Sequence, residues 1–257
     1  LPLSDKGILY IIGTGPGNPG QMTGHAIAAI QDADVVIGNN FYLEQLGPLL
    51  EGKEIIRSSM GKEVERAQHC IERAKTQKVA MVSGGDPGIY GMASIVLEVL
   101  EHSKEKIEWE VIPGISAANA AASRLGSPLS GDFVTLSLSD LLTPLEVIAH
   151  RLDHAFQMGV PVTLYNPKSR GRPHNLDMAL DVALQHRHPD TPVGIVKNTF
   201  RDGEEEQITT LAALRKDNSF VDMHCMVIIA GEEARITQIG NRDGIITPRG
   251  YDRKYVY

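Results

Sequence analysis

The sequence predicts an α/β protein built as two α/β domains, the first with a mostly parallel sheet flanked by helices. Three observations carry this. Through the first half, short apolar runs alternate with stretches of helical periodicity, the pattern of strand–helix–strand crossovers and so of a parallel sheet covered on both faces. The stretch RLGSPLSGD, Arg124 to Asp132, is rich in Gly, Ser and Pro, the composition of a linker. Beyond it the strands resume with a different spacing. The expected domains are residues 1–125 and 126–257.

Each element has its own signal. Ile8–Ile12, Asp34–Ile37, Lys53–Ile56, Val79–Ser83 and Trp109–Ile112 are brief apolar runs bounded by Gly, Asp or Ser, as buried parallel strands are. Between them, Val64, Ala67, Ile71 and Ala74 mark one helical stripe, and Ile95, Val96, Val99 and Leu100 another. Pro113-Gly114 ends the fifth strand, and Ser116 caps an alanine-rich helix. In the second half FVTLSLSD, PVTLYNP and PVGIVKNT read as strands. The latter two flank a helix carrying Leu176, Ala179, Leu180, Ala183 and Leu184, and MHCMVIIAG is the last strong strand. The charge run DGEEE, Asp202 to Glu206, reads as a solvated loop.

Composition narrows the function classes. The 257 residues carry a formal charge of -7, with 42% apolar and 22% charged residues, an ordinary globular balance. Mild acidity argues against a general nucleic-acid binder, which needs a basic surface to displace counterions. Two cysteines far apart, Cys70 and Cys225, form no disulfide framework. The start LPLSDKG lacks a basic-then-apolar signal pattern, and no apolar run approaches the roughly 20 residues of a membrane span. The expectation is a soluble cytoplasmic protein with no nucleic-acid or membrane partner.

Glycine-rich motifs end three of the strands. In GTGPGNPG, Gly15, Gly17 and Gly20 spell the dinucleotide fingerprint, and Gly13, Gly15 and Gly17 spell a pattern many methyltransferases carry. A dinucleotide site needs backbone N–H groups facing a pyrophosphate and an acid ending the second strand. Pro16 and Pro19 each remove a donor, and the second strand ends in Gly38-Asn39-Asn40. The loop therefore reads as the wall of a site for a ligand without phosphates, or as a plain turn. SGGDPGIYG, Ser83 to Gly91, follows a strand directly. Its glycines admit a ligand to the backbone, and Asp86 sits where open α/β sheets bind ligands. Asp86 can accept hydrogen bonds from hydroxyls, or cap a helix beginning near Ile89. The third motif is IPGISAANAA. His150 and His154 are four apart in a helical pattern, but Arg151 stands where a metalloprotease carries glutamate; no metal site is assigned.

GTGPGNPGQMT, SGGDPGIYG and IPGISAANAA, in this order and spacing, resemble the tetrapyrrole methylase family, and the resemblance runs from Ile8 to Tyr251. SLSDLLTP, LYNPKSRGR, TPVGIVKN and ITPRGY are similar to its precorrin-3B C17-methyltransferase branch, which includes the counterpart acting on cobalt-factor III. The resemblance implies two α/β domains with S-adenosylmethionine in the interdomain cleft, S-adenosylhomocysteine as product, a homodimer, and methylation of a tetrapyrrole at C17 coupled to ring contraction in cobalamin biosynthesis. Carried over by position, the cofactor contacts are Pro16, Gly84, Gly85, Asp86, Ile89, Ser116, Ala117, Asn166 and Thr199. Relatives that methylate uroporphyrinogen carry an aspartate just after the second strand; Asn39 stands there, while their matching lysine is retained as Lys62.

Ring contraction requires loss of a proton, so an acceptor or relay is wanted. The candidates are Asp140 and Lys62, against readings as a helix N-cap and a solvated amine. A substrate with many carboxylates needs basic and hydroxyl groups, which Lys168, Ser169, Arg170, Arg172 and Arg249 provide. The rival readings are an NAD(P)-binding oxidoreductase and a non-catalytic tetrapyrrole-binding protein.

Overall fold

The computed structural model describes residues 7–256, so most of the LPLSDKG stretch lies outside the described residues. The chain divides into two compact units between Ala117 and Ala118.

The first unit runs β1 (Ile8–Gly13), α1 (Gly24–Asp32), β2 (Val35–Asn39), α2 (Asn40–Leu46), β3 (Glu54–Ser58), α3 (Glu63–Ala74), β4 (Lys78–Ser83), α4 (Ala93–Ser103) and β5 (Glu108–Ile112). The five strands form one sheet, in the order β3-β2-β4-β1-β5, and every pairing is parallel. The alternation of side chains along a strand splits the core in two. Leu9, Ile11, Val35, Ile37, Val79 and Met81 face one way, with residues of α3 and α4. Tyr10, Ile12, Val36, Ala80 and Val82 face the other, with residues of α1 and α2. Burying each such aliphatic side chain stabilises the fold by about 1.5–3 kcal/mol.

The second unit begins within α5 (Ala117–Leu125) and continues β6 (Gly126–Ser127), β7 (Val134–Ser137), α6 (Leu145–Gln157), β8 (Val162–Tyr165), α7 (Asn175–His186), β9 (Pro192–Lys197), β10 (Glu205–Thr210), α8 (Leu211–Lys216), β11 (Cys225–Ile229), β12 (Arg235–Ile239) and β13 (Arg242–Ile246). Its main sheet has the order β10-β9-β11-β8-β7. Only the β7–β8 pair is parallel; the others are antiparallel. A core of α6, α7 and α8 side chains, Phe156, Leu180 and Leu214 among them, packs against Val162, Leu164, Val193, Ile195 and Val227. The antiparallel hairpin β12–β13 pairs with β6 in a separate three-stranded sheet.

Several local readings change. The Arg124–Asp132 stretch opens with regular structure: Arg124 and Leu125 finish α5, and Gly126–Ser127 form β6. The DGEEE run is only partly loop, because Glu205 and Glu206 start the edge strand β10. Charge on an edge strand deters pairing with another chain. In α3 the buried face is Arg66, Ala67, Cys70, Ile71 and Ala74. Val64, in the first turn, is exposed, and an arginine is buried instead.

Candidate functional site

In the first unit the loops after β1, β4 and β5 meet at the C-terminal ends of adjacent parallel strands. Gly15 and Gly85 form an antiparallel bridge, with Gly15 N–H donating to Gly85 O at 3.1 Å and Gly85 N–H to Gly15 O at 2.7 Å. Thr14 donates to the Ser83 carbonyl from its amide (2.9 Å) and its hydroxyl (3.2 Å). The third loop closes against both. A Cβ on Gly114 would stand 2.2 Å from Gly85 O and 2.8 Å from Gly13 C, and one on Gly13 would stand 2.6 Å from Gly114 N. These glycines are required because backbone meets backbone.

Asp86 ties the loops together. Its Oδ1 accepts from Gly88 N–H at 2.8 Å and its Oδ2 from Gly114 N–H at 3.1 Å. The helix it was expected to cap does not begin near Ile89: Tyr90 has φ of +53° and α4 starts at Ala93. Asp86 therefore caps a turn and bridges the second loop to the third. Each carboxylate oxygen keeps a further lone pair for a ligand donor.

The remaining first-unit candidates lie on the same three loops. Pro16 is buried, Ser116 is buried immediately before α5, and Ala117 is half-buried. Gly85 has φ of +67°, and a Cβ on Gly84 would strike the Tyr42 ring at 2.2 Å. Ile89 and Tyr90 are exposed apolar side chains on the second of these loops, suited to an apolar or aromatic ligand group. None of the three motifs contains Lys or Arg, and Pro16 and Pro19 withhold N–H donors, so nothing in them matches a pyrophosphate.

Asn39 serves as the N-cap of α2, its Oδ1 accepting from Phe41 N–H at 2.9 Å. Lys62 lies at the start of α3 and pairs with Glu65 at 3.0 Å, both side chains being more than half exposed. The structure does not place it among the glycine loops' hydrogen bonds.

In the second unit, candidate residues gather at the C-terminal ends of the parallel pair β7 and β8. Asn166, with φ of +50°, donates from Nδ2 to Ser137 Oγ at 3.0 Å. Leu138 N–H donates to Tyr165 O at 2.9 Å, and the buried Asn175 donates to Leu138 O at 2.7 Å. Asp140 lies 3.7 Å from Arg172 Nε; it is not a helix cap, since α6 starts at Leu145 after Pro144. Ser169 and Arg172 exchange backbone hydrogen bonds in a tight turn. Lys168 Nζ donates to Asn218 Oδ1 at 2.8 Å. Arg170 and Arg249 are exposed with no ion-pair partner among the described residues. Thr199 is half-buried in the turn after β9, between Asn198 (φ +50°) and Phe200 (φ +58°). Phe200 is held there by the Arg124 guanidinium 4.0 Å above its ring and by Glu204, which accepts from its amide.

The His150 and His154 rings lie 4.4 Å apart on α6, tilted by 54°, and among the described residues no cluster of His, Cys, Asp or Glu has the arrangement of a metal site. No described helix is long and apolar enough to cross a membrane. Sequence reasoning missed Arg66, which lies buried beneath the loops after β3 and β4.

A parallel sheet covered on both faces, with glycine loops converging at its carboxyl edge, is the architecture at which open α/β folds place their ligand crevice. The chain belongs to the Tetrapyrrole (Corrin/Porphyrin) Methylases, whose family model matches residues 8–215. It is 44% identical over 255 residues to the cobalt-factor III methyltransferase of Priestia megaterium, covering 97% of this chain and 46% of that protein. It is 42% identical to a probable cobalt-factor III C(17)-methyltransferase of Salmonella typhimurium, covering 95% of this chain and 99% of that one. The chain spans about half the length of two of the curated relatives it matches. Among solved structures, the methyltransferase CobJ superposes with a TM-score of 0.87 at 30% identity, over 95% of this chain and all of that one. A uroporphyrin-III C-methyl transferase from Thermus thermophilus complexed with S-adenyl homocysteine shares the fold at a TM-score of 0.66 and 20% identity, over 87% of this chain and 97% of that one.

Proposed function

We propose that the protein transfers a methyl group from S-adenosylmethionine to C17 of a precorrin-3B or cobalt-factor III type tetrapyrrole, coupled to ring contraction, in cobalamin biosynthesis. The observation that carries this reading is the platform of three interlocked glycine loops, free of basic residues, in a chain aligned nearly end to end with a protein named a probable cobalt-factor III C(17)-methyltransferase. S-adenosylmethionine supplies a methyl on a positive sulfur and leaves as S-adenosylhomocysteine. The chain's main contribution is to hold the nucleophilic carbon and the methyl in line at near-attack distance.

In this reading Pro16, Gly84, Gly85, Asp86, Ile89, Ser116, Ala117, Asn166 and Thr199 are the cofactor contacts. Lys168, Ser169, Arg170, Arg172 and Arg249 receive substrate carboxylates. Arg170 and Arg249 are the more available anchors, because Arg172 already faces Asp140 and Lys168 holds Asn218. Asp140 is the better candidate for proton acceptor, because its carboxylate lies among the substrate-anchor candidates, 3.7 Å from Arg172 Nε. Lys62 is engaged by Glu65. The reading includes a soluble, cytoplasmic protein and, as the family resemblance implies, a homodimer.

Calorimetric titration with S-adenosylhomocysteine and with NAD(P) tests the cofactor class. Saturable binding of the former and none of the latter is expected. Binding of NAD(P) alone would replace this reading with the oxidoreductase one.

A further inference from the structure

We propose that Arg66 is a positioning residue of the cofactor site, setting the second glycine loop against the first through a buried chain Arg66–Met92–Ser83–Thr14. The inference rests on the methyltransferase reading above. Arg66 projects from α3 into the protein and is only 4% exposed. Each of its three guanidine nitrogens donates: Nε to Ser58 Oγ at 2.5 Å, Nη2 to Ser59 O at 2.9 Å and Nη1 to Met92 Sδ at 3.1 Å. All three acceptors are neutral, and among the described residues no carboxylate stands at ion-pair distance. A buried charge without a counter-charge is costly, and an apolar side chain would fill the same space without that cost. What the arginine adds is a rigid planar fork with fixed donor directions.

The fork ties two loops at the carboxyl edge of the parallel sheet. One arm holds Ser58, the last residue of β3, and Ser59, which opens the loop carrying the exposed Met60 and Lys62. The other holds Met92 at the end of the second glycine motif. Met92 N–H donates to Ser83 Oγ at 3.3 Å, and Ser83 O receives both donors of Thr14. Thr14 precedes Gly15, the residue bridged to Gly85. Met92, Ser83 and Thr14 are all buried, so a shift at Met92 has no room to be absorbed before it reaches the Gly15–Gly85 bridge.

The test is Arg66→Met, which keeps the buried volume and removes the fork. Because the partners of Arg66 are neutral, no charge is left unpaired, and Ser58 and Ser59 are exposed enough for water to replace its donors, so the thermal midpoint should stay near wild type. The dissociation constant for S-adenosylhomocysteine should rise about tenfold, as coupling through a shared network permits. Arg66→Lys, with its charge but no fork, should fall in between. Met92→Leu removes only the sulfur acceptor and should weaken binding several-fold; it decides the matter if Arg66→Met fails to fold. Folded variants that bind as wild type would overturn the role of Arg66. Wild-type protein that gives no binding heat would overturn the methyltransferase reading itself.

Discussion

Gly114→Ala probes the platform where its geometry is tightest. The new Cβ would sit 2.2 Å from Gly85 O, 2.8 Å from Gly13 C and 2.9 Å from Gly13 O, all backbone atoms that no rotamer change can move. Restoring ordinary contact parts the third loop from the other two by about 1 Å. Overpacking of this kind costs about 1–3 kcal/mol. The displacement also stretches the Gly114 N–H to Asp86 Oδ2 hydrogen bond, worth roughly another 1.5–3 kcal/mol as a bond to a charged group. The expected destabilisation is therefore about 4 kcal/mol, a large share of the roughly 5–15 kcal/mol that holds a domain folded. Urea unfolding monitored by circular dichroism measures it, with Gly24→Ala as the control. A Cβ on Gly24 meets nothing within 4 Å, and alanine in the first turn of α1 should be neutral or stabilising by up to about 1 kcal/mol. A Gly114→Ala protein within about 1 kcal/mol of wild type, binding S-adenosylhomocysteine equally well, would refute the claim that backbone contact between the loops builds the site.

Asp86→Asn replaces one of two carboxylate acceptors by a donor facing an N–H, and should cost about 1–3 kcal/mol and weaken S-adenosylhomocysteine binding, both measurable on one preparation by denaturation and calorimetry. Arg170→Ala should leave stability within about 0.5 kcal/mol and cofactor binding intact while weakening the tetrapyrrole; equal losses for both ligands would remove Arg170 from the substrate site. Acid stability should depend on Asp32. Its partial burial opposes the charge, but Lys78 and Tyr10 donate to it and hold its carboxyl below the usual carboxylate range. A lowered folded-state value means stabilisation that is present above the unfolded value and lost as pH falls through the folded one. Asp32→Asn should therefore narrow the gap between urea midpoints at neutral pH and near about pH 3 by the equivalent of about 1 kcal/mol.

The strands of the parallel sheet were legible in the sequence because they are buried on both faces and read as short apolar runs. Strands β10, β12 and β13 were not: EEQITT, RITQI and RDGII carry charge on exposed edges and hairpins, where pairing rather than burial sets the conformation. The three glycine motifs were individually visible, and their prolines already argued against a phosphate site. Their junction was not, because the Gly15–Gly85 bridge joins loops some 70 residues apart. Asp86 could be singled out by position, but its two partners depend on how the third loop folds back. Arg66 had a weak signal: it stands four residues before Cys70 on the stripe of Ala67 and Ile71, a position that helical periodicity places inside.

Methyl transfer itself decides the account. The protein is incubated with S-adenosylmethionine and either precorrin-3B or cobalt-factor III, and the tetrapyrrole product is weighed by mass spectrometry. One added methyl on one of the two substrates, with S-adenosylhomocysteine formed in equal amount, is the expected result. Tetrapyrrole binding without any mass gain would contradict it and leave a non-catalytic binding protein.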